Sequence, residues 1–245
     1  MKEKTIKLIN DYLNLPLGAQ NVSCPYYNNK KKGSRIGLRV LIGKGLPQEI
    51  IDEAKIFAIK QKINLQNLTN DELKKFLVEN NLGIDCSGLV YHLLNAEFGN
   101  LKLFYPQAKN IFRKIIIKMR PVENTSVLIL HNEKNSIEIN LNEIQTGNFI
   151  ISLNGGSQKN YNHIIFIEKV VKENNVVKQI DYIHSFKWPE DGLYNHGVRR
   201  GKIEITDINK NILEQNWIEK DKTGENNWTL TYLKTAEKVK IKKLK

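Results

Sequence analysis

The sequence predicts an α+β protein in which a helix headed by a cysteine packs on a central antiparallel β-sheet carrying two histidines. Leu89, Val90, Leu93, Leu94 and Phe98 recur at helical spacing behind Gly83 and Asp85, so a buried helix should run from Ser87 to about Phe98 with Cys86 on its first turn. Residues 164–171 and 176–183 are β-rich runs separated by Lys172-Glu173-Asn174-Asn175, the pattern of a hairpin with a four-residue loop. At 245 residues, 40% hydrophobic and 26% charged, the chain suits one globular domain with elaborations better than two full domains.

The elements follow in order. Lys4 to Leu15 reads as a short amphipathic helix stopped at Leu15-Pro16. Residues 21–45 are loop-like and basic and contain Cys24-Pro25-Tyr26-Tyr27. Pro47 opens a helix whose Ile50, Ile51, Ala54, Phe57 and Ala58 share a face, and Thr69-Asn70-Asp71-Glu72 is a capping box for a helix through about Val78. Residues 100–145 mix basic helix with short strands. Residues 147–153 join the two β-rich runs in the core sheet, and Gly197-Val198-Arg199-Arg200-Gly201 leads into a further strand over 202–205. From Lys238 to Lys245 lysines alternate with apolar residues. This predicts an edge strand whose lysines discourage edge-to-edge pairing or dock an anionic polymer.

A net charge of +12 favours acidic surroundings such as nucleic acid, anionic lipid or anionic wall polymers. No aromatic residues interleave with the lysine run, which argues against a nucleic-acid platform. No stretch approaches the ~20 apolar residues of a membrane span, so no integral membrane segment is expected. The start of the chain lacks a basic region followed by an apolar one, so no secretory signal is visible. The chain reads as a soluble monomer, cytoplasmic unless released or exported by another route. Its two cysteines make no disulfide framework, and Cys24 reads as a structural thiol. Neither CxxC nor HExxH occurs, so no metal site is expected. Gly37 to Gly45 lacks the Ser or Thr that would hold magnesium after Lys44, which argues against a phosphate loop. His92 lies about 240° around the helix from Cys86 and should point elsewhere. His131 stands in a strand-like apolar run. His196 could line a cleft, and Trp188-Pro189 could wall a groove.

Cys86 admits two readings. It is either a small buried cysteine in the first turn of a core helix, or a nucleophile whose thiolate is favoured there by unpaired amides and the helix dipole. A four-residue loop pairs Val171 with Val176 and, counting outward, sets His163 directly opposite His184 on one sheet face. That placement suits a general base and the group that orients it.

Gly83-Ile84-Asp85-Cys86-Ser87-Gly88-Leu89-Val90, followed by Asn162-His163-Ile164-Ile165-Phe166-Ile167 and Tyr182-Ile183-His184-Ser185, resembles the Cys, His, His series of the NlpC/P60 family of papain-like cysteine hydrolases. The resemblance covers roughly Leu82 to Ser185. It implies a papain-like fold with residues 81–206 as the catalytic core, 1–80 as an N-terminal elaboration and 207–245 as a basic extension. It further implies a cysteine peptidase or amidase, without cofactor, cleaving amide bonds in the stem peptides of bacterial peptidoglycan. Cys86 would attack the carbonyl, His163 would act as base and then acid, and His184 would orient it. The Cys86 amide would serve the oxyanion, with Asp85, Ser87, Tyr26 and Tyr27 around the substrate. The chain departs from the family at Gly147-Asn148, where Gly-Asp is usual, and in having large apolar residues after His163. It also lacks the usual tyrosine and paired glycines shortly before the nucleophile, for which Tyr26 or Tyr27 would stand in. Two other readings remain: a related protein-cleaving or acyl-transferring enzyme, and a catalytically silent basic module that binds anionic polymers.

Overall fold

The structure, a computed structural model, describes residues 1–28, 38–187, 197–221 and 224–245. Gly37, Trp188, Pro189 and His196 lie outside them. The N-terminal third is helical, and three of its helices begin where a side chain accepts a backbone N–H of the first turn. Helix α1 (Glu3–Leu13) leads into a small ribbon of β1 (Leu15–Pro16) and β2 (Asn21–Val22). Helix α2 (Pro47–Gln61) starts with proline at its first position, and Glu49 accepts the Leu46 N–H at 2.8 Å. Helix α3 (Asn70–Glu79) carries the expected capping box between Thr69 and Glu72. Helix α4 (Cys86–Phe98) is capped by Asp85, whose carboxylate accepts the Gly88 N–H at 2.6 Å.

Three short helices follow: α5 (Ile111–Met119), α6 (Pro121–Asn124) and α7 (Val127–His131). The run around His131 is therefore helical rather than strand-like, because Ser126 caps it and accepts the Ile129 N–H. The remaining elements are β3 (Ser136–Glu138), β4 (Phe149–Gly155), β5 (Tyr161–Glu173), β6 (Val176–Phe186), β7 (Gly197–Glu204), β8 (Asn216–Asp221), β9 (Gly224–Asn226), α8 (Trp228–Leu233) and β10 (Lys238–Leu244).

All strands from β3 onward form one eight-stranded antiparallel sheet in the order β3-β10-β4-β5-β6-β7-β8-β9. Both faces are covered. Phe149, Ile151, Ile164, Phe166 and Ile183 pack against the N-terminal helices and α4. Ile150, Ile165, Ile167, Tyr182 and Trp217 form a second core closed by Leu230 and Leu233 of α8. Burial on both faces accounts for the unbroken apolar run from Ile164 to Ile167. No helix among the described residues is long and apolar enough to cross a membrane.

Three further expectations are corrected. Strand β10 is not an edge: β3 covers one side of it and β4 the other. Its lysines are used inside the fold, since Lys242 is buried and donates to the His131 carbonyl while Lys240 pairs with Glu138 at 2.7 Å. Nor are residues 207–245 an appended extension, because β8, β9 and β10 belong to the central sheet. The β5–β6 loop is two residues, not four. Asn174 and Asn175 adopt φ of 50° and 65°, the left-handed pair of a tight hairpin turn, so the ladder continues to Glu173↔Val176. Opposite Phe166 stands Ile183, two residues from the expected partner. A shift of two preserves the face, so His163 and His184 stay side by side, diagonally rather than directly opposed.

Candidate functional site

Cys86 heads α4 with its thiol close to the sheet. The amides of Ser87 and Ile164 both donate toward its sulfur. Burial pushes the thiol up to about 12, and the Asp85 carboxylate adds to the rise, while Lys44 and the two amides pull the other way. The sequence predicts a thiolate from helix position alone; the folded chain holds a neutral thiol, because desolvation and the capping aspartate outweigh the helix terminus. Cys24, free and fully buried, is likewise pushed up to about 12 by burial.

Beside Cys86 sits a buried ion pair that sequence reasoning missed. Lys44 Nζ donates to Asp85 Oδ1 at 2.8 Å, to Ser87 Oγ at 2.6 Å and to the Thr125 carbonyl at 3.0 Å. Ser87 Oγ in turn donates to Asp85 Oδ1 at 3.0 Å. Asp85 and Ser87 thus adjoin the cysteine as expected, but Asp85 Oδ1 and Ser87 Oγ are engaged by the protein itself. His92 does not line the cleft at Cys86; its Nε2 meets the Lys44 carbonyl at 2.9 Å. A lysine between two glycines in an apolar stretch, Ile42-Gly43-Lys44-Gly45-Leu46, was the available signal.

On the opposite face of the sheet, beside Ile165 and Tyr182, lie His163 and His184, both fully buried. His163 Nε2 meets His184 Nδ1 at 2.8 Å, and His184 Nε2 meets Glu219 Oε1 at 2.8 Å. Tyr182 and Thr229 also donate to that oxygen, at 3.0 and 2.7 Å. Burial works against a charged Glu219, but the hydrogen bond from His184, with help from Thr229 and Arg199, holds its carboxyl below the usual range. Burial pushes both histidines down, most strongly His163, so both rings are neutral near pH 7.

The proton positions follow. An ionised Glu219 only accepts, so His184 carries its proton on Nε2 and accepts at Nδ1. His163 must then donate from Nε2, which leaves the lone pair on Nδ1. That nitrogen is buried and has no hydrogen-bond partner. Glu219 was also missed, although it alternates with Trp217 on β8 and so shares its inward face. Glu219 and Thr229 both come from the region read as an extension.

Thiol and imidazole reach the same end of the sheet from opposite faces. Cys86 meets the amide of Ile164, the residue after His163, and Tyr232 lies near both, its ring centroid 6.3 Å from that of His163. Phe186 packs edge-on against His163 at 4.7 Å and against Tyr26 at 6.4 Å. Among the described residues no hydrogen bond joins Cys86 to His163.

A cleft of about 590 Å³ opens onto Cys86, lined among others by Tyr26, Lys44, Asp85, Ser87, Thr125 and Asn162. Tyr26 thus borders the site. Tyr27 does not line the cleft; its backbone N–H instead donates to the Ile84 carbonyl. No cluster of three His, Cys, Asp or Glu side chains among the described residues is disposed to hold a metal ion. No family model matches the chain, and no curated protein or solved structure does either.

Proposed function

We propose that the protein is a cysteine hydrolase of amide or peptide bonds, with peptidoglycan stem peptides as the substrate class that the NlpC/P60 resemblance implies. The observation that carries this reading is the Glu219–His184–His163 relay, which ends in an open Nδ1 lone pair beside the Cys86 end of the sheet. A neutral base oriented by a hydrogen-bonded partner is what a cysteine nucleophile requires. On substrate binding the thiol proton passes to His163 Nδ1, and sulfur attacks the carbonyl carbon. The positive charge on His163 is stabilised through His184 by the Glu219 carboxylate. The proton then goes to the departing amine, leaving a thioester, which water cleaves to the acid while the thiol is regenerated. Contacts between nucleophile and base are often long in the free enzyme and tighten when substrate binds.

One observation favours a second reading, that of a silent basic module binding anionic polymers: the resting thiol is pushed up to about 12 and does not touch His163. Incubating the protein with purified peptidoglycan and analysing the fragments by mass spectrometry separates the two. New amine and carboxyl ends, absent with Cys86→Ala and with Glu219→Gln, are expected of the hydrolase. An intact polymer that nonetheless co-sediments with the protein would assign the silent module.

A further inference from the structure

Helix α5 is turned inside out. Ile111, Phe112, Ile115, Ile116 and Met119 are between 42% and 77% exposed, whereas Ile117, at 5%, is its only buried residue. At 3.6 residues per turn the five exposed apolar residues occupy an arc of about 140°, and Ile117 lies roughly opposite the centre of that arc. The helix therefore rests on the protein through Ile117 and presents its apolar face directly outward, the reverse of a surface helix in a globular protein.

Its charge is as one-sided as its exposure. Residues 109–120 contain Lys109, Arg113, Lys114, Lys118 and Arg120 and no Asp or Glu. Arg113 is held by Asn124 at 2.9 Å and Arg120 by Glu123 at 3.0 Å. Lys109, Lys114 and Lys118 are exposed, the last two along one border of the apolar arc.

We infer that α5 docks the protein on an anionic lipid surface, with its apolar arc among the acyl chains and its lysines at the headgroups. Nine residues span only about 14 Å, far less than a hydrocarbon core of about 30 Å, so the helix lies in the plane of the interface. The charges argue against the competing occupants. A two-fold contact between copies would press two such basic segments together. An anionic polymer in water would call for the lysines but not for five exposed apolar side chains. Arg113 also lines the cleft beside Cys86, so docking holds the mouth of that cleft near the bilayer surface.

The test is co-sedimentation of the full chain with vesicles of phosphatidylcholine alone and of phosphatidylcholine containing about 30 mol % phosphatidylglycerol. Binding is expected to the anionic vesicles and to be weak on the neutral ones. Phe112→Ser with Met119→Ser should reduce partitioning by about a hundredfold, at roughly a tenfold factor for each large apolar side chain withdrawn. Lys114→Gln with Lys118→Gln should reduce it by about fivefold per lysine. All four side chains are exposed, and circular dichroism and the melting temperature should stay at the wild-type values. Binding to anionic vesicles that survives Phe112→Ser with Met119→Ser would overturn the assignment, as would no binding at all. A dimer in light scattering that dissolves with the same pair of changes, without vesicle binding, would give the face to a second copy instead.

Discussion

At the scale of single residues, Glu219 decides which nitrogen of His163 holds the free lone pair, and with it the base of the proposed hydrolase. Replacing its carboxylate with an amide in Glu219→Gln removes the obligate acceptor, so His184 can flip its tautomer and Nδ1 of His163 is no longer held as a base. We expect kcat to fall by about 10²–10⁴ with little change in KM, and nitrogen NMR of the imidazoles to show the altered tautomers. A variant with wild-type kcat would remove Glu219 from the mechanism. Cys86 supplies a second prediction. Since both thiols are pushed up to about 12, Cys86 and Cys24 should react with iodoacetamide slowly at pH 7. Asp85→Asn removes a negative charge that raises the Cys86 thiol and frees Lys44 to lower it. Labelling of Cys86 should then speed up by about tenfold per unit of pKa, while Cys24 is unaffected. The same change leaves Lys44 buried without its counter-charge and should cost about 3–5 kcal/mol of stability, read from denaturant melts. Cys86, His163 and His184 were legible because each sits next to a strong local pattern, a capped helix or a β-rich run. Lys44 and Glu219 were not, since a buried charge is recognisable only once its partner is known, and their partners stand 41 and 35 residues away.

At the scale of elements, the hairpin shows what sequence pattern can and cannot specify. Counting outward from the loop puts both histidines on one face, as found, whereas the exact register depended on whether Asn174 and Asn175 would both take left-handed conformations. Asparagine tolerates that conformation, so a two-residue turn competes with a four-residue loop. The turn can be tested directly. Asn175→Gly should be neutral or stabilising by a few tenths of a kcal/mol, whereas Asn175→Val should cost about 1–2 kcal/mol, because a β-branched residue resists positive φ. Equal melting temperatures for the two variants would contradict the turn geometry. Strand β10 reads as an edge in the sequence because lysine alternation is also what an edge shows; β3, only three residues long, is too short to announce itself. Removing residues 238–245 should therefore abolish cooperative unfolding, measured by calorimetry, rather than merely weaken binding to polyanions.

At the scale of the whole molecule, three buried neutral histidines make stability depend on acid. Burial lowers His92 to about 4, and it lowers His163 and His184 as well. In the unfolded chain each takes up a proton near pH 6.5, so between that value and its folded value the unfolded state binds more protons. Stability is thus complete above about pH 6.5 and is lost as pH falls, by about 1.4 kcal/mol per unit for each histidine still neutral in the fold. Glu219, whose folded value is depressed, acts in the same direction at lower pH: its contribution is present above the ordinary carboxylate range and disappears as the folded carboxyl protonates. Urea melts from pH 8 to pH 5 should show the decline beginning near 6.5, and a flat profile would contradict the burial of these rings. The placement of β10 also has a consequence for how the protein comes into being. During synthesis the ribosome delivers β3, β4 and every residue of the relay before it delivers the strand that joins β3 to β4. Lys240 and its partner Glu138 are 102 positions apart in the chain. Until β10 emerges, β4 has an open edge and the sheet is split, a state that invites mispairing with other chains. Closure of the sheet must wait for that strand, so a nascent chain carries all the parts of the site without the continuous sheet beneath them.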